Sequence, residues 1–111
     1  MAVTLVQRAL IQGDPTHANA KMREGFRGSW NRMFDRKTGS PEQLFTIEER
    51  SVDASGAVKV LGYYNCVAKG DQIAAVEAAQ WSEVELLTTL RWNRDTKYLQ
   101  LEVVEVRPIQ G

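Results

Sequence analysis

The most regular alternation of apolar and polar positions runs from Glu83 to Trp92. Val84, Leu86, Thr88, Leu90 and Trp92 share one side, and Glu83, Glu85 and Arg91 the other. Side chains alternate across a strand with a period of two, so this segment predicts a half-buried β-strand. Upstream, the apolar-rich runs Leu44 to Val52 and Ala57 to Asn65 are joined by Asp53-Ala54-Ser55-Gly56. Asp opening a turn and Gly supplying a positive φ predict a hairpin there. Lys97 to Arg107 changes phase: Leu99, Leu101 and Val103 fall on one face, Val104 and Val106 on the other. A β-bulge near Val103, or a strand buried on both sides, accounts for the change, and Pro108 ends the pairing.

The first half alternates less cleanly. Val3 to Ile11 is rich enough in β-branched residues for a strand, stopped by Gly13-Asp14-Pro15. Asp14 and Pro15 also suit the N-cap and first position of a short helix reaching Met22, and both readings stay open. Phe26, Gly28, Trp30, Arg32 and Phe34 alternate with Arg27, Ser29, Asn31 and Met33, predicting a strand with an aromatic face. The rival is a helix through Met22, Phe26, Trp30 and Met33. Gly25 and Gly28 oppose it, each costing about 1 kcal/mol relative to Ala. Thr38 to Pro41 reads as a loop, and Lys69 to Gln72 and Asn93 to Thr96 read as turns. Gln72 to Gln80 fits strand or helix, and strand is preferred because no clean apolar stripe appears. The expected fold is therefore mainly β, an antiparallel meander of seven candidate strands forming a small barrel or half-barrel with at most one or two short helices. One domain is expected, with an N-terminal strand and possible short helix in 1–25 and the meander in 26–107.

Composition fits that picture. The chain has 111 residues, 43% of them apolar and 25% charged, which suits one hydrophobic core and excludes wholesale disorder or a polybasic tail. Fourteen basic residues balance fourteen acidic ones. The balance is uneven along the chain, with seven basic and three acidic residues in 1–37 and the acidic excess in the remainder. Such asymmetry suits either one half neutralising the other or a positive face for a partner. No basic–apolar leader and no apolar run of about 20 residues is present, so neither a signal peptide nor a membrane partner is expected. The single cysteine, Cys66, cannot form an intramolecular disulfide, and a cytoplasmic setting is expected.

Phe26-Arg27-Gly28-Ser29-Trp30 resembles the F-x-G-x-W that opens the first barrel strand of calycins, the lipocalin and avidin type of β-barrel. The hairpin Asp53 to Tyr64 looks like the avidin-type turn leading into Gly-x-Tyr, and Leu90-Arg91-Trp92-Asn93 is similar to a later Trp-bearing strand of those barrels. The resemblance spans about 26–93 and implies a barrel whose Gly permits close backbone approach and whose Trp packs across a closed end. The chain ends too soon after its Trp-bearing strand to carry the rest of a biotin site, so biotin binding is not implied.

Candidate chemistry is sparse. His17 and Cys66 stand alone as metal-ligating types, so neither a metal nor another cofactor is expected. Glu48, Glu49, Glu83, Glu85, Glu102 and Glu105 mostly fall on the polar phase of strands. Glu77, set among Ala75, Val76, Ala78 and Ala79, is the best candidate for acid–base chemistry of a cofactor-free isomerase or hydrolase, but an enzyme is not favoured. Aromatic residues are the stronger clue, with Tyr63 and Tyr64 facing opposite sides of one strand. Trp30, Tyr63, Tyr64, Asn65, Arg91 and Trp92 form the leading candidate site, for a small amphipathic ligand or a protein partner. The alternative is single-stranded nucleic acid. Lys21, Arg23, Arg27, Arg32, Arg36 and Lys37 interleave with Phe26, Trp30 and Phe34, pairing charge with stacking surface. It ranks second because the chain is neutral overall. Homodimerisation through an edge strand is also expected.

Overall fold

The computed structural model describes residues 3–93 and 97–109. Its strands are β1 (Val3–Gln12), β2 (Trp30–Phe34), β3 (Pro41–Val52), β4 (Val58–Lys69), β5 (Glu83–Asn93) and β6 (Tyr98–Pro108). Its α-helices are α1 (Ala20–Glu24) and α2 (Asp71–Ala78), and a 3-10 turn covers Pro15–His17. The alternating run becomes β5, and the Asp53–Gly56 turn joins β3 to β4 as expected. Asp53 organises that turn by accepting from the backbone N–H groups of Ser55 and Ala57, which with the Ser55 hydroxyl hold its carboxyl below the usual range.

Five strands close into a mainly β barrel in the order β1-β5-β6-β4-β3, with β3 returning to β1 through Ala9↔Glu49 to Gln12↔Thr46. All the pairings are antiparallel except β4–β6, which run parallel at Cys66↔Leu101 and Val67↔Glu102. The phase change in β6 is a bulge: Leu87 opposes Glu105 and Thr88 opposes Val103, so Val104 has no partner. β2 lies outside the barrel and pairs with β3 alone, continuing the side of β3 that β1 leaves at Thr46.

Phe45, Ile47, Ile11, Leu86, Cys66 and Val103 fill the interior. Burial pushes the Cys66 thiol far up, so it acts as a small apolar side chain. The segment 72–80, preferred as a strand, is instead within and just beyond helix α2. Gly70 turns the chain at φ 55°, in the left-handed region that favours glycine. Ile73 and Val76, one helical turn apart, then plug one end of the barrel. The apolar stripe escapes notice because the helix is only eight residues long.

The expected strand from Phe26 is also shorter than the pattern suggested, since only Trp30–Phe34 joins the sheet. Residues 25–29 find their partners in side chains. The Gln12 amide donates to the Gly25 carbonyl and accepts from Arg27 N–H, while Ser29 N–H donates to Thr46 Oγ1 at 3.1 Å. Ahead of them, Asp14 caps the 3-10 turn and Asn19 caps α1, so the open question over 14–22 resolves into two short helical pieces. Trp81, at φ 60°, pins this connection to the barrel by donating its indole N–H to the Asp14 carbonyl. The expected turn at Asn93–Thr96 lies largely outside the described residues. Among the described residues no helix is long and apolar enough to cross a membrane.

Candidate functional site

Among the described residues, no helix covers the end of the barrel opposite α2. The start of β1, the end of β3, the start of β4, the end of β5 and the start of β6 converge there, as their pairing directions require. The β3–β4 and β5–β6 ribbons are longer than the core they cover. Leu90 and Trp92 continue the inward face of Val84, Leu86 and Thr88, yet stand 59% and 55% exposed. On β4 the same happens to both faces: Val58, Val60, Leu61, Tyr63 and Tyr64 are all exposed. Tyr63 pairs with Glu48 and Tyr64 with Ile47, so the two rings point to opposite faces. The parallel pairing of β4 and β6 begins at Cys66↔Leu101; three residues before it on each strand, Tyr63 and Tyr98 both fall on the outer face by strand alternation. Tyr98 is 64% exposed.

Between β1, β4 and β6 this end holds a groove of about 380 Å³. Its walls include Val6, Leu90, Leu99 and Leu101, and its polar lining includes Glu49, Tyr64 and Asn65. Tyr64 Oη donates to Glu49 Oε1 at 3.2 Å, and the neighbouring carboxylate pushes the phenol's pKa up.

The six residues expected to form one ligand site are divided among several places. Tyr64 and Asn65 line the groove, Trp92 pairs with Leu99 at its rim, and Tyr63 looks outward. Trp30 packs edge-on against Phe45, with ring centroids 6.4 Å apart, as part of the core's margin. Arg91 occupies the other face of β5. Its Nη1 lies 3.5 Å from Glu102 and 3.7 Å from Glu42, and Lys69 reaches the same two carboxylates, each at 3.4 Å. Arg91 therefore ties strands together rather than facing the groove.

The basic segment is rearranged too. Phe26 packs on Trp81, with centroids 6.2 Å apart, and Trp30 on Phe45, leaving Phe34 as its exposed ring. Arg32 is engaged by Gln43 and by Glu77, which sits exposed on α2 rather than in an apolar pocket. Arg36 and Lys37 lie in the turn from β2 to β3. There Asp35 accepts from Thr38 and Lys37 N–H groups, and its carboxyl is held below the usual range. Lys21, Arg23 and Arg27 are exposed on and just after α1, without a carboxylate partner among the described residues. Lys59 and Lys97, near the tips of the two ribbons, are likewise exposed and without such a partner. On the barrel wall below, Arg50 bonds Glu48 at 2.9 Å and Glu83 at 3.2 Å, and Arg8 pairs with Glu83, so that acidic surface is neutralised.

Tyr98, Lys59 and Lys97 were not among the candidate site residues. The available signal was length: apolar alternation extends beyond what a small barrel can cover on both β4 and β5.

No protein-family model and no curated protein matches the chain. Solved structures do. The SSB domain of a protein from Synechococcus sp. superposes with a TM-score of 0.57 at 14% identity, over 96% of this chain and 94% of that one. A small single-stranded DNA binding protein from Mycoplasma pneumoniae gives 0.56 at 12% identity, over 100% of this chain and 97% of that one. At these identities the likeness shows the fold, a five-stranded barrel of the OB type. It overturns the calycin resemblance. Gly28 does allow a close approach, but to Thr46 beside a barrel closed through β1–β3 and a parallel β4–β6 pair. The leading expectation of a small amphipathic ligand or protein partner falls with it, because the neighbours are DNA-binding barrels and the residues assigned to that ligand do not converge.

Proposed function

We propose that the protein binds single-stranded nucleic acid across the outer face of β3 and β4 and the end of the barrel opposite α2. The carrying observation is that Tyr63 and Tyr98 both lie on the outer face, each three residues before the β4–β6 pairing, with Tyr64 and Trp92 at the same end, all exposed. Aromatic faces stack on any base, and nearby cations track the phosphates. Lys21, Arg23 and Arg27 lie exposed on the connection between β1 and β2, where Lys21 lines a pocket with Glu48, the partner of Tyr63, and Lys59 and Lys97 lie at the starts of β4 and β6. Barrels of this type commonly bind oligonucleotides on their second and third barrel strands, here β3 and β4. Overall neutrality does not oppose the reading, because the acidic residues of the barrel wall are largely paired with arginine or lysine. A cytoplasmic setting, with access to nucleic acid, belongs to the same proposal.

A salt titration tests the charge component. For single strands the slope of log K against log salt is about −0.7 for each neutralised phosphate. Replacing Lys21, Arg23 and Arg27 together by Gln therefore reduces the slope by about 2, measured with a labelled oligonucleotide. An unchanged slope removes these cations from the site. The same proposal places dimerisation on the free edge of β2, and a monomer mass by light scattering at high protein concentration would exclude it.

A further inference from the structure

The groove at the open end has a chemistry that stacking does not explain. Its walls are largely apolar, and Glu49 is the one carboxylate among its lining residues. A phosphate is repelled there, so if a strand crosses this end, a base rather than the backbone enters. About 380 Å³ falls within the usual range of small-molecule pockets. Asn65 pairs with Thr46 and so shares the outer face with Tyr63, leaving Glu49 and Tyr64 as the polar side chains on the groove's inner face. Tyr64 Oη donates to Glu49 Oε1, which orients the carboxylate and leaves Oε2 free to accept.

We infer that this groove takes one unstacked base carrying an exocyclic amino group, with Glu49 accepting from the amino N–H. The inference rests on the nucleic-acid reading and names the base that the site prefers. Cytosine and adenine present an amino donor beside a ring acceptor, and guanine presents two adjacent donors. A carboxylate only accepts, so it matches these edges. Thymine and uracil flank their single N–H with two carbonyls, which would face Glu49 and be repelled. The apolar walls Val6, Leu90, Leu99 and Leu101 hold the ring by contact and are indifferent to which base it is. Discrimination therefore resides in Glu49.

The test compares oligo(dC) and oligo(dT) of equal length at pH 8 with the unmodified protein and with Glu49→Gln. The expected result is binding of oligo(dC) about tenfold tighter, the discrimination of one good base-edge contact. Glu49→Gln brings the two affinities to within about twofold while binding of oligo(dT) is retained or improved. A purely electrostatic role for Glu49 would instead raise both affinities together and leave their ratio unchanged, and that result overturns the inference. Equal affinities in the unmodified protein, or tighter binding of oligo(dT), overturn it as well, while leaving nucleic-acid binding intact. Failure to bind either strand at low salt overturns the broader reading and this one together. Deoxycytidine monophosphate is expected to compete far more weakly than the strand. Equal competition would make the groove a free-nucleotide site and overturn a strand-borne base.

Discussion

Replacing Tyr63 and Tyr98 together by alanine weakens binding of a single-stranded oligonucleotide by roughly 30-fold or more, because each base stacked on an aromatic ring is worth about 1–3 kcal/mol and 1.4 kcal/mol is tenfold. Both rings are exposed on the outer face, so neither fills the core and the double variant retains its melting temperature within a few degrees. Phe34 is the control. It is 63% exposed, close to Tyr98, but it ends β2 away from the open end of the barrel. Phe34→Ala leaves affinity unchanged. Equal losses from Phe34→Ala and the double variant would show that general apolar exposure, not the proposed face, drives binding.

Gly28→Ala is the most destabilising single substitution expected outside the core. A Cβ at this position would lie 1.7 Å from Thr46 Oγ1 and 2.2 Å from Thr46 Cβ. Thr46 is almost fully buried on β3, and its β-branched side chain has no room to turn away. The connection must lift, breaking the Ser29–Thr46 hydrogen bond and disturbing Trp30 against Phe45. Overpacking of this kind costs about 3 kcal/mol or more. For a domain near this size that lowers Tm by roughly 12–24 °C. Gly25→Ala, where a Cβ meets only the Met22 carbonyl at 3.5 Å, changes Tm little. A thermal melt of the two variants separates these outcomes. Similar melting temperatures would mean that residues 25–29 do not pack on β3.

The contrast between Gly25 and Gly28 illustrates what can be read from the chain and what cannot. Strand alternation is a local property, and with the turn residues it located β1, β3, β4, β5 and β6, the Asp53–Gly56 turn and the phase change near Val103 that the register shows to be a bulge. Helix α2 was missed because its apolar face is only Ile73, Val76 and the half-buried Ala79, too short a run to show a 3.6-residue period. Phe26 to Ser29 alternates like a strand, but its backbone is satisfied by Gln12 and Thr46, and nothing local announces such a partner. The parallel β4–β6 pairing that separates this barrel from a calycin is also nonlocal.

The candidate site was legible in part for the same reason. Tyr63, Tyr64 and Trp92 drew attention as residue types, whereas their surroundings depend on where the core ends. Leu90 and Trp92 are in phase with Leu86 but stand beyond the last covered layer. Pairing is equally invisible in sequence. Arg32 and Lys21 belong to one basic segment, yet Arg32 is held by Glu77 while Lys21 faces solvent.

Where a single strand touches the barrel is the most direct test of nucleic-acid binding. Backbone amide shifts recorded during titration with a short single-stranded oligonucleotide report this residue by residue. The expected changes concentrate at Tyr63 to Asn65, Tyr98 to Gln100 and Lys21 to Arg27, with α2 unaffected. Shifts confined to α2 and the β2 edge, or none at low ionic strength, would contradict it.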